Sequence, residues 1–152
     1  MPKIDIAALP FVARGGYPPP HDKLVAGRSR KRLGDEAGVT QFGVNLTRLP
    51  PGVHSSLRHW HENQDEFVYV LEGALILVEN EGETILRAGE AAGFKAGVAN
   101  GHHLVNRSDR DAVYLEIGTR TPRERAHFSD VDLDVVVDET GGRYTRKDGS
   151  PL

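Results

Sequence analysis

The sequence contains no cysteine. Disulfides, thiolate nucleophiles and sulfur metal ligands are therefore excluded together. A zinc nucleobase deaminase, which needs a Cys-x-x-Cys besides its His-x-Glu, goes with them. Long hydrophobic runs are also missing, and no stretch approaches the ~20 residues that a membrane-spanning helix requires. The first residues, Met1-Pro2-Lys3-Ile4-Asp5-Ile6, carry no apolar run of the signal-peptide kind. The expectation is a cytoplasmic protein that binds no membrane. Positive charge is not in excess: the net charge is −3, which gives no general attraction to nucleic acid or anionic lipid. No Gly-x4-Gly-Lys phosphate loop occurs, and no serine sits on a strand-to-helix elbow. No segment keeps an uninterrupted helical period for a dozen residues, and there is no internal repeat.

What the chain does contain is turns and short apolar blocks. Its 152 residues suffice for one domain with a full core. Seventeen glycines and nine prolines imply frequent reversals of direction. Residues 1–40 read as an irregular N-terminal arm, because Gly15-Gly16-Tyr17-Pro18-Pro19-Pro20 suits neither helix nor strand. Its basic cluster, Arg28-Ser29-Arg30-Lys31-Arg32, lacks aromatic partners and a helix-turn-helix pattern. It is expected to be solvated, or paired with acids such as Asp35 and Glu36. Residues 41–49 alternate, with Phe42, Val44 and Leu46 on one face of a half-buried strand. Further strands are expected at 55–61, 66–71, 74–79, 84–87, 92–94, 102–106 and 112–117. The 119–152 extension offers one more apolar run, Val131 to Val137, as a possible edge strand. The fold class that follows is all-β, a barrel or sandwich over 41–118.

The chemistry is concentrated in His59-Trp60-His61-Glu62-Asn63-Gln64-Asp65-Glu66. Residues i and i+2 of a strand share a face, so His59 and His61 present two imidazoles side by side. Glu66 opens the next strand and can bring a carboxylate to the same point. Asp65 is the alternative, but the face of Glu66 continues through Val68 and Val70. A third histidine comes from Gly101-His102-His103-Leu104-Val105-Asn106. His102 shares its face with Leu104 and Asn106, so it is preferred over His103, and Asn106 can support the site from behind. Three imidazoles and one carboxylate suit Mn, Fe, Ni, Cu or Zn. His54, near the start of the strand, is the candidate general base, weighed against an ordinary surface role. Arg58 and Arg48 are candidates for binding an anionic substrate. Tyr69, Tyr114 and Trp60 are expected to pack on the outer face.

The spacing His59-x-His61-x4-Glu66-x6-Gly73 resembles the first motif of the cupin superfamily. Gly89-x5-Lys95-x-Gly97 followed by His102-x3-Asn106 resembles the second. The resemblance covers roughly residues 41–118. It departs from the family pattern at Gly52, one residue further from His59 than usual, at Lys95, where proline is usual, and in two extra residues between Gly97 and His102. It implies a double-stranded β-helix, or jelly-roll barrel, holding one divalent metal ion on His59, His61, Glu66 and His102. The DEFVYVLEG core and the AGxxNGHHLVN stretch further resemble a branch of small single-domain cupins, some of which are labelled sugar-phosphate isomerases. A homodimer is expected, as is common in cupins. Phe67, Tyr69, Leu71, Trp60, Ile76 and Val78 put apolar surface on the side away from the metal.

Such a centre favours a bidentate oxygen ligand and can polarise a carbonyl. Isomerase or lyase work on a small oxygen-rich, anionic or sugar-like substrate is the first expectation. Dioxygenase chemistry, or a non-catalytic small-molecule sensor, is the alternative. An ionisable residue in the cavity beyond the four ligands favours catalysis; a wholly apolar lining favours binding.

Overall fold

The computed structural model describes residues 2–13 and 16–152. Met1, Arg14 and Gly15, and with Gly15 the start of the glycine–proline stretch, lie outside the described residues. The strands are β1 (Ser29–Arg32), β2 (Phe42–Leu49), β3 (His59–His61), β4 (Glu66–Glu72), β5 (Ala74–Glu79), β6 (Gly82–Arg87), β7 (Ala91–Phe94), β8 (His103–Val105), β9 (Ala112–Thr119), β10 (Glu124–Phe128), β11 (Asp134–Asp138) and β12 (Gly141–Thr145). One short α-helix, α1 (Leu33–Glu36), follows β1. The sheets run β1-β2-β9-β4-β7, β12-β11-β10-β3 and β6-β5-β8. Each pairing is antiparallel. Bridges His59–His102 and His54–Val105 tie the β3 segment to the β8 segment and help close the barrel. The all-β architecture expected from the turn spacing forms, as the jelly roll that the cupin resemblance implied. No helix among the described residues is long and apolar enough to cross a membrane.

Alternation sets the core. On β4 Val68 and Val70 point inward, while Phe67, Tyr69 and Leu71 point outward and stay exposed. Val68 and Val70 join Leu49, Leu75, Leu77, Leu86, Leu104 and Tyr114 in one buried cluster. Each fully buried side chain of this size contributes roughly 1.5–3 kcal/mol. Gly73 makes the β4–β5 reversal possible: its φ is +75°, and a Cβ there would lie 3.0 Å from the Asp111 carbonyl oxygen. A second cluster, Leu57, Phe128 and Leu133 with Tyr17 and Tyr144, packs against the sheet of β10 to β12.

Three expectations need correction. On β2 the buried positions are Thr47 and Leu49, and Gly43 and Asn45 line a cavity. Phe42, Val44 and Leu46 face out, because the inner side of this sheet borders polar space as well as hydrophobic core. Tyr114 is 1 % exposed and points inward, not outward. The terminal segments are not appendages. β1 pairs along β2 over four residues, since the ladder accepts any side chain whose inward head finds a partner. The tail contributes three strands where one edge strand was expected. β11 lies inside its sheet, and β10 pairs with β3, the strand that carries His59 and His61.

Candidate metal centre

Short β3 presents His59 and His61 on one side, as the i, i+2 rule requires. The turn after it is pinned by Glu124 on β10. That carboxylate is 5 % exposed and accepts from the backbone N–H groups of Glu62 at 3.0 Å and Asn63 at 3.2 Å. The turn delivers Glu66 at the start of β4. One donor atom each from His59, His61 and Glu66 lie within 4.8 Å of one another. Glu66 Oε1 is 2.8 Å from His61 Nε2 and 3.4 Å from His59 Nε2. Its other oxygen, Oε2, is 2.6 Å from His102 Nε2. The His102 ring is stacked on Phe94 at 3.5 Å between centroids, which fixes its plane.

The ring tautomers bear on what fits between these groups. His59 Nδ1 lies 2.9 Å from the Leu57 carbonyl oxygen, and His102 Nδ1 lies 3.2 Å from that of Asn100. A neutral ring that donates from Nδ1 turns a bare Nε2 lone pair toward Glu66. Lone pairs facing a carboxylate repel unless a cation sits between them. The donor set therefore fits a divalent ion. With no ion between them the contacts are met by rings that carry a proton on Nε2: burial alone would raise the Glu66 carboxyl, but hydrogen bonds from His102, His59 and His61 outweigh it and hold Glu66 well below the usual range. Burial pushes His59 down, and the Glu66 carboxylate more than restores it, so its net displacement is upward.

The site opens on two sides. One mouth, about 240 Å³, runs between Trp60, Gln64, Glu79, Lys95 and Asn100. The other is a cavity of about 350 Å³. Its space follows from register. Gly43 opposes Gly118, and Gly118 opposes Glu66, so two of the three positions in that row have no side chain. In the next row Asn45 opposes Glu116, which opposes Val68. Arg28 and Arg30 close the far wall.

Residues 45–118 match the Cupin domain family. The fold matches a sugar phosphate isomerase of the cupin superfamily from Silicibacter pomeroyi with a TM-score of 0.96. Identity is 52 % over 99 % of this chain and 96 % of that one. The chain belongs to the cupin superfamily. A candidate sugar phosphate isomerase from Acidithiobacillus ferrooxidans is 25 % identical over 82 % of this cupin and 80 % of that chain, with a TM-score of 0.76. The polyketide cyclase RemF from Streptomyces resistomycificus shares the fold at 19 % identity, covering 78 % of this chain and 79 % of its own, with a TM-score of 0.63. No curated protein matches the chain.

Of the remaining candidates of this cupin, Trp60 borders the smaller mouth and His103 the larger cavity, and none lies against Glu66. His54 does not line either mouth. It lies edge-on to His103, with ring centroids 4.9 Å apart, and burial followed by the charge of Arg107 lowers its pKa. His103 Nδ1 lies 2.9 Å from the Ser56 carbonyl oxygen. Burial, then the neighbouring His54, pushes it down to about 4. Asp65 accepts from the Ala96 N–H at 2.8 Å and so orders the second motif's loop. Arg58 is committed to Asp130, Asn80 and the Gly101 carbonyl. Arg48 lies over the Phe11 ring, 4.1 Å from its centroid. Asn106 bonds to the Leu49 and Arg110 carbonyls and lines neither mouth. Trp60 stacks on His127 at 4.4 Å.

Residues not foreseen take their place. Arg28 is 7 % exposed and donates to the Ser55 carbonyl. Arg30 is 2.6 Å from Glu116. Tyr17 borders the cavity and accepts from the Leu57 N–H at 3.2 Å. The one available signal was the i, i+2 spacing of Arg28 and Arg30, which puts both on one face if the segment is a strand.

Proposed function

We propose that this cupin is a divalent-metal-dependent isomerase acting on a small anionic hydroxy-carbonyl compound of the sugar-phosphate class. One observation carries the reading: His59, Glu66 and His102 of the cluster border a cavity that Arg28 and Arg30 also line. His59, His61, Glu66 and His102 would hold the ion. When bound, it supplies Lewis-acid polarisation of a carbonyl oxygen. Arg28 and Arg30 offer guanidinium groups to the anionic end of the substrate, a geometry suited to phosphate or carboxylate. The lining is not wholly apolar: Glu116 and Tyr114 are ionisable groups beyond the four ligands, which favours catalysis over passive binding. The name of the Silicibacter neighbour agrees with this substrate class.

The test is direct. Purified protein is assayed for bound Mn, Fe, Ni and Zn. The loaded protein is then screened by NMR against aldose and ketose phosphates and hydroxy-acids. The expected result is interconversion of an aldose–ketose pair that stops on chelation and returns with metal. A protein that binds metal but converts none of these would overturn the isomerase assignment.

The same proposal includes a homodimer formed through the outer face of the β1-β2-β9-β4-β7 sheet. Val44, Ile117 and Phe67 lie in one outward row, and Leu46, Leu115 and Tyr69 in the next. Phe42, Phe67, Tyr69 and Leu71 at the surface continue that apolar area. Monomeric proteins rarely leave such contiguous patches uncovered. Light scattering should give a dimer, and Phe67→Glu with Tyr69→Glu should give a folded monomer. A wild-type monomer at ~100 times the assay concentration would rule the interface out.

A further inference from the structure

We infer that Glu116 is the general base of this reaction, an assignment that rests on the isomerase reading above. The register places it. Val68 opposes Glu116 and Glu66 opposes Gly118 across β4 and β9, so Glu66 and Glu116 are diagonal neighbours. Diagonal positions on adjacent strands are roughly 7–8 Å apart. Both carboxylates line the same cavity. Gly118 leaves the space beside them open, which is room for the reacting carbons of a substrate.

The two oxygens of Glu116 have different surroundings. Oε1 is anchored, 2.6 Å from Arg30 Nε and 3.2 Å from Asn45 Nδ2. Among the described residues Oε2 meets the Tyr114 hydroxyl at 3.3 Å, a long contact. The side chain retains 27 % exposure toward the cavity. One oxygen thus fixes the carboxylate in place and the other remains able to take a proton. Burial raises the Tyr114 hydroxyl well above its usual range, so it stays protonated beside that oxygen as a donor.

The step balances without another reagent. Glu116 Oε2 removes the proton from the carbinol carbon next to the substrate carbonyl. The electron pair of that C–H bond becomes the C=C bond of an enediolate, and the carbonyl π pair moves onto oxygen. The proton held on Glu116 exchanges with solvent through the open cavity, and Glu116 then delivers a proton to the former carbonyl carbon while the hydroxyl proton passes between the two oxygens. The product is the isomer, with no net oxidation or reduction.

The experiment follows carbon-bound hydrogen in D2O. Metal-loaded wild-type protein is incubated with glucose 6-phosphate, ribose 5-phosphate and glyceraldehyde 3-phosphate. Deuterium entering the carbon next to the carbonyl is read by proton NMR. Glu116→Gln should lower the exchange rate by about 10²–10⁴-fold, as loss of a positioned base does. Metal content and the affinity for sorbitol 6-phosphate, which cannot enolise, should stay near wild type. Glu116→Asp should recover part of the rate together with the acid limb of the kcat/KM profile. Exchange by Glu116→Gln within about threefold of wild type would overturn this assignment alone. Loss of exchange accompanied by equal loss of metal or of sorbitol 6-phosphate binding would make Glu116 a structural partner of Arg30 and overturn it too. No exchange by loaded wild type with any of the three would overturn the isomerase reading and this assignment with it.

Discussion

Glu66→Gln is expected to weaken divalent-ion binding at least about 100-fold, a larger loss than the 10–100-fold that follows removal of an orienting partner behind a ligand. Glu66 is the one anionic group in the cluster, and both of its oxygens are engaged: Oε1 with His59 and His61, Oε2 with His102. An amide keeps the shape but brings no charge. It also presents an N–H₂ to an imidazole lone pair on one side, so one histidine is turned away from the ion. Calorimetric titration with Mn²⁺ or Zn²⁺ measures this directly. Affinity within about fivefold of wild type would show that the ion, if bound, sits elsewhere. The pH dependence follows from the same contacts. Glu66 is held ionised far below the ordinary carboxylate range, so in the metal-free protein its contribution to stability is present above that range. It is lost only as pH falls toward the depressed value. Metal affinity should fail earlier on acidification, because imidazoles must be neutral to bind and their ordinary pKa is about 6.5.

Much of this site was legible because its rules are local. His59 and His61 share a face through strand alternation, and Glu66, Val68 and Val70 continue that face across one short turn. Parity also separated His102 from His103, and the structure brings His102, not His103, against Glu66. The failures have a common origin. Arg28 and Arg30 were read as part of a cluster that is solvated or paired with acids such as Asp35 and Glu36, because a run of cations looks hydrophilic. Yet the β1 ladder on β2 turns Arg30 inward, where Glu116 compensates it, and Arg28 is buried just before the strand. Glu116 is separated from Arg30 by more than eighty residues of sequence. Glu124, which pins the turn between the histidines and Glu66, comes from a tail with no motif. Its strand, β10, is fixed only by long-range pairing with β3. Contacts of that kind leave no periodic trace in a single sequence. The same limit explains Tyr114 and the outward Phe42–Val44–Leu46 face. Which side of a strand is inside depends on the neighbouring strands, and here the inner side is partly polar because it walls a cavity.

Asn106 is where alternation gave a right face and a wrong role, and its replacement should cost stability without touching the metal. The side chain is 0 % exposed. Its amide donates to the Leu49 carbonyl at 2.7 Å and to the Arg110 carbonyl at 2.8 Å. Its oxygen accepts from the N–H of Ser108 at 3.0 Å and from its hydroxyl at 2.7 Å. These bonds tie the end of β2 to the 107–111 loop. Asn106→Ala removes all four and leaves dry polar groups behind. A net hydrogen bond is worth about 1 kcal/mol and an orphaned buried group costs about 1–3 kcal/mol, so a loss of roughly 3 kcal/mol is expected. For a chain of this length that lowers Tm by roughly 6–12 °C. Asn106→Asp should be at least as damaging. It keeps the acceptor for Ser108 but sets a buried charge against two carbonyl oxygens. Calorimetric melting of both variants, paired with metal titration, separates the two roles. A normal Tm with a tenfold drop in metal affinity would restore Asn106 to the site; a large Tm drop with unchanged affinity assigns it to the loop, because no ring nitrogen of His59, His61 or His102 depends on it.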